Sequence, residues 1–145
     1  MIRKSSRAAL FIISTKEIIM TSLTPRYFQQ YLLKIYPCSV PFRVKVSSKV
    51  PKTRSGSYGI RTKNINIYCA GLASDNFLRE TAIHEYAHHL HHTERGLFTG
   101  LKTKSDRSHG SHFWIIYSFL MTEAYRKGLY TDEYMLPMFN KSKIY

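Results

Sequence analysis

Tyr27, Phe28, Tyr31, Leu32 and Ile35 recur at spacings of three and four, the period that gathers apolar side chains on one face of a helix. Thr24 can cap that helix, Pro25 suits its first position, and Pro37 limits its end. Val40, Phe42, Val44 and Val46 then alternate with other residues, the period of a half-buried strand. Residues 52–59, rich in Ser, Gly and basic side chains, read as a polar turn region. A second extended segment over residues 60–70 puts Ile65 and Ile67 on one face, and Gly71 closes it. Ser74 or Asp75 opens a long helix expected to reach about His92, and residues 93–108, with two glycines and mixed charges, read as a loop. Phe113, Ile116, Tyr117, Leu120, Met121 and Ala124 stripe a further helix over residues 111–127, with Gly128 as its terminator.

These elements, within 145 residues, fit one compact α+β domain. Residues 24–130 form the domain, 1–23 an N-terminal extension and 131–145 a C-terminal tail. A hydrophobic content of 43% excludes a wholly disordered chain. No run approaches the roughly 18–20 apolar residues of a membrane span, so no membrane role is expected. Cys38 and Cys69 form no C-x-x-C pattern, which points to a reducing compartment and a cytoplasmic location.

Charge changes the picture. The chain has 22 basic against 9 acidic residues, a formal +13, and residues 1–74 hold thirteen of the bases with Glu17 as their one acid. Such a half suits a polyanionic partner. The candidate nucleic-acid contacts are Lys45, Lys49, Lys52, Arg54, Arg61, Lys63, Lys102, Lys104 and Arg107, with interleaved tyrosines able to stack on unpaired bases.

The remaining signal is histidine. All seven lie between positions 84 and 112, and the helix contains His84-Glu85-Tyr86-Ala87-His88. Residues four apart on a helix differ by about 40° of rotation and about 6 Å of rise, so both imidazoles can reach one ion. Glu85 lies about 100° round from His84, suited to act as general base rather than ligand. A catalytic zinc takes three protein ligands and leaves one position open. His109, in His109-Gly110-Ser111-His112-Phe113-Trp114, is the leading third ligand, with Phe113 and Trp114 expected to anchor it in the core. Glu123 is the alternative. His89, His91 and His92 read as solvated or helix-capping, and His112 as a surface residue, a group that orients a ligand, or a substrate contact.

His84-Glu85-x-x-His88 followed by His109-Gly110-x-x-Phe113 resembles the SprT-like zinc peptidases and the related WLM group, a wider family that includes the Spartan-type proteases of DNA-crosslinked proteins. The resemblance covers about residues 40–127. It implies a minimal zincin-like α+β fold, a small β-sheet packed with an N-terminal helix, an active-site helix and a C-terminal helix. It also implies one catalytic Zn2+ on His84, His88 and His109, with Glu85 as base toward a zinc-bound water. The expected activity is peptide-bond hydrolysis on a protein or peptide substrate, DNA-associated proteins being one class. The cysteine-rich ribbon that many SprT-like proteins carry is absent, and the His88–His109 connection is long. Two other readings stand beside this one: a basic nucleic-acid-binding module with a structural or vestigial metal, and a DNA-independent peptidase cutting one regulator. Lys63-Asn-Ile-Asn-Ile-Tyr68 is expected to be the edge strand against which a peptide would lie.

Overall fold

The computed structural model describes residues 23–48, 54–69, 74–99 and 107–131. The two terminal segments, and Lys49, Lys52, Lys102 and Lys104, lie outside the described residues.

Helix α1 spans Pro25–Ile35 and begins as its sequence dictates: Thr24 Oγ1 accepts the Tyr27 amide at 3.0 Å, and Pro25 occupies the first turn. Its face of Phe28, Tyr31, Leu32 and Ile35 is buried. Strand β1, Arg43–Ser47, follows, then β2, Gly56–Tyr58, and β3, Asn64–Tyr68. The sheet order is β1-β3-β2, with β3 parallel to β1 and antiparallel to β2.

Three readings of this region change. The stretch expected to be a polar turn contains β2, too short for alternation to show, and the second extended segment narrows to β3 with a turn before it. In that turn Lys63 takes a positive φ of 61° and its ammonium donates to Ile60 O at 2.8 Å. The segment 63–68 is also no edge. Its strand is central, paired on both sides, and β1 and β2 are the two borders of the sheet.

Register sorts the strand side chains by face. Val44 pairs with Ile65 and Val46 with Ile67, while Gly56 and Tyr58 oppose Ile67 and Ile65; this face joins the core, with Ile65 and Ile67 fully buried. Arg43, Lys45, Ser57, Asn64 and Asn66 occupy the alternate positions.

Helix α2, Asp75–Thr93, is the centre of the molecule, packed on the sheet, α1 and the last helix. Ser74 caps it by accepting the Phe77 amide, and Asp75 lies in its first turn, where a negative charge suits the helix dipole. Leu78, Ala82, Ile83, Tyr86, Ala87 and Leu90 are fully buried. The expected loop holds a short helix α3, Arg95–Thr99. Helix α4, Ser111–Arg126, buries Phe113, Ile116, Leu120, Met121 and Ala124 against α2. Gly128, with φ 71°, ends it: the Gly128 amide reaches Tyr125 O and the Leu129 amide reaches Ala124 O, the paired bonds of a left-handed C-terminal cap. Cys38 and Cys69 are both free thiols. Among the described residues no helix is long and apolar enough to cross a membrane.

Candidate metal centre

Helix α2 presents His84 and His88 one turn apart, and the turn leading into α4 brings His109 across to them. His84 Nε2 lies 3.2 Å from His109 Nε2, and His88 Nε2 lies 3.1 Å from the same atom. One ring nitrogen from each of the three falls within 4.8 Å of the others. Nitrogens at zinc–nitrogen distances of about 2.0–2.1 Å in tetrahedral array would stand about 3.3 Å apart, close to the separation of His109 from each of the two helix histidines. Glu123, the alternative ligand, is absent from this cluster and pairs instead with Arg126 at 2.7 Å.

The two helix imidazoles, His84 and His88, are held in ligand form. Burial and the neighbouring imidazoles push His88 down to about 3 and lower His84 in the same direction, so near neutral pH each ring keeps a lone pair. Phe113, fully buried, packs on all three with ring centroids 5.0, 4.4 and 4.9 Å from His84, His88 and His109. Trp114 is not the core anchor expected of it: it is 46% exposed beside His84 and His109.

Glu85 is 6% exposed. Burial pushes its carboxyl up to about 7, against an opposing pull from the Arg54 guanidinium. It shares with the three histidines a cleft of about 650 Å3 whose walls are β2 and its approach, Arg54 to Tyr58, the exposed side of α2, and Tyr117 of α4. The close approach of β2 depends on Gly56. A Cβ there would stand 2.7 Å from Thr81 Cγ2, 2.8 Å from Asn66 O and 3.2 Å from Glu85 Cγ.

Three of the other histidines are corrected, while His92 is exposed as expected. His89 is fully buried; its Nε2 donates to Val40 O at 2.7 Å, so its Nδ1 accepts the Tyr58 hydroxyl at 2.8 Å. That ring ties α2 to the entry of β1 and to β2. His91 and His112 are also buried, at 3% and 6% exposure, and only His92 is exposed, stacked on Tyr58. Burial of these polar rings leaves α2 without a simple apolar stripe, which is why sequence periodicity could not place them.

Of the described candidate nucleic-acid contacts, Lys45 stands on the outer sheet face, Arg61 and Lys63 in the β2–β3 turn, and Arg107 two residues before His109. Arg54 lines the cleft instead, near enough to act on Glu85. Tyr58, one of the interleaved tyrosines, also lines it, as do Gly56, Glu80, Thr81 and Tyr117, which the sequence does not mark as site residues. For Glu80 and Thr81 a signal existed, since they precede His84 by four and three residues on one helix face.

Comparison with protein-family models, with curated proteins and with solved structures finds no match for this chain. The site therefore stands on its own geometry.

Proposed function

We propose that the chain is a zinc-dependent metallopeptidase of the SprT-like kind. The observation that carries this reading is the convergence of three imidazole nitrogens on a cleft that also holds the buried carboxyl of Glu85. When bound, zinc supplies Lewis acidity toward a water and the scissile carbonyl oxygen. Glu85 accepts the proton of the attacking water and later passes it to the leaving amine. Burial, which raises this carboxyl in the metal-free protein, favours the proton-bearing form needed for the second transfer. Strand β2 supports the peptide: it borders the sheet, lines the cleft, and offers backbone groups that little side-chain selectivity would disturb.

The test pairs metal analysis with cleavage of denatured casein. One zinc per chain is expected, lost in His109→Ala and kept in Glu123→Ala. Glu85→Gln should keep the metal and lose about 10²- to 10⁴-fold in rate. A zinc-loaded wild type that cleaves nothing, or a Glu85→Gln variant of undiminished rate, would return the centre to a structural role.

A nucleic-acid partner is a second element of the proposal, favoured by the charge layout. No carboxylate occurs between Glu17 and Asp75, and the outer sheet face carries exposed Arg43 and Lys45 beside Asn64, Asn66 and Ser57. Single-stranded DNA should bind with an affinity that falls steeply with salt and that drops in Arg43→Ser/Lys45→Ser. Cleavage unaffected by DNA, with no salt-dependent binding, would favour the DNA-independent peptidase.

A further inference from the structure

We propose that Glu80 forms the anionic end of a substrate subsite that selects a lysine or arginine side chain next to the scissile bond. The inference rests on the peptidase reading and adds to it a substrate class.

Glu80 lies one turn before His84 on α2 and lines the same cleft as the histidines and Glu85. The Tyr117 hydroxyl donates to its Oε2 at 3.2 Å. This bond fixes the carboxylate and uses one of roughly four acceptor positions that an ionised carboxyl offers. The same cleft offers apolar surface on Phe77, 46% exposed, Ile60, 56% exposed, and the Tyr117 ring, among polar lining that includes Thr81 and Arg54. Exposed apolar side chains at a cleft wall mark a place where a ligand's apolar surface is covered.

An apolar wall leading to a fixed carboxylate matches one kind of side chain, a long aliphatic stem with a cationic head. Lysine and arginine bury their stems along apolar surface and reserve the head for a charge-assisted bond. A neutral aliphatic residue would cover the walls and leave the carboxylate desolvated with only the Tyr117 hydroxyl as partner, and an acidic one would meet like charge. The net charge of +13 repels basic peptides at long range, but that field is screened over about 8 Å at physiological salt. The local carboxylate therefore sets the preference.

The experiment maps every cut made in a randomised decapeptide mixture by zinc-loaded wild type, Glu80→Gln, Glu80→Lys and Tyr117→Phe, using mass spectrometry. Wild type should favour Lys or Arg over Gln at one position flanking the cut by about ten- to a hundredfold, the range of a hydrogen-bonded charge pair. That ratio should fall toward one in Glu80→Gln, shift toward acidic residues in Glu80→Lys, and weaken in Tyr117→Phe. Cleavage with no basic preference, or a preference that survives in Glu80→Gln, overturns the subsite while leaving the peptidase reading in place. A second arm measures binding of fluorescein-labelled decapeptides, with Lys or Gln at that position or, if no cut is found, at each position in turn, to zinc-loaded Glu85→Gln and Glu80→Gln/Glu85→Gln proteins. Absence of cleavage by zinc-loaded wild type would reject the peptidase reading. Lys-dependent binding lost with Glu80 would then still support the subsite, and binding indifferent to Glu80 would overturn it.

Discussion

Gly56 has no room for a methyl group, because Thr81 Cγ2 and the Asn66 carbonyl would both lie under 3 Å from it. Gly56→Ala should cost about 1–3 kcal/mol in urea unfolding, the usual cost of overpacking. Adding Thr81→Ser should recover only part of it, since the clash with backbone at Asn66 persists; full recovery would show that the carbonyl yields. Two residues on the helix side, Glu85 and His88, titrate in opposite senses. Glu85 is raised from 4.5 to about 7, so the folded metal-free protein holds its proton more tightly than the unfolded chain. The contribution of Glu85 to stability is full below pH 4.5, declines as pH rises, and is lost once pH passes about 7. Metal-free Glu85→Gln should therefore gain on wild type progressively between pH 5 and 8, by up to about 3 kcal/mol. A gain that does not vary with pH would contradict the raised carboxyl. His88 is lowered from 6.5 to about 3, so its contribution is present above 6.5 and lost as pH falls through that window. The wild-type-minus-variant difference isolates Glu85 from it.

The elements are joined by a few polar bonds. The His89 ring links α2 to Val40 and to Tyr58 of β2, and Tyr58 is a wall of the cleft. Tyr58→Phe keeps the ring but strands an acceptor on His89, and should destabilise by about 1–3 kcal/mol. His89→Phe, which removes both bonds at Val40 and Tyr58, should cost at least as much. Equilibrium unfolding measures both, and loss of neither would show that packing alone holds β2. The same element shows what sequence could convey. The starts of α1 and α2 were legible because Thr24 and Ser74 act on amides three residues away. The end of α4 was legible because Gly128 alone takes its backbone conformation cheaply. Strand β2 was not, because three residues carry too little alternation to register, and its pairing partner lies beyond a turn.

At the scale of the whole molecule, the proposed metal site would couple to the fold. The three histidines that could hold an ion come from two segments, α2 and the turn before α4, so an ion that binds the folded chain would stabilise it by mass action. At free zinc a thousandfold above its Kd this amounts to about 4 kcal/mol, a rise in Tm on the order of 10 °C. Calorimetry with and without a chelator checks this, and a Tm indifferent to zinc would reject a site at His84, His88 and His109. The charge is also arranged at this scale: the described acids Asp75, Glu80, Glu85, Glu94 and Glu123 all sit on or at the ends of helices α2 and α4, and the sheet has none. Sequence by itself determined helices α1, α2 and α4 and the one-turn spacing of His84 and His88, because caps, stripes and one-turn repeats act within a few residues; the short α3 escaped it. It also set the strong positive charge of the first half. Only the tertiary structure decided that β3 is central, that β2 is the border facing the cleft, and that His89, His91 and His112 are interior. These depend on which distant segments pack together, and so on contacts that no local period encodes. The same packing brought Glu80 and Tyr117 to the cleft, where a charge four residues from a histidine became a candidate determinant of substrate.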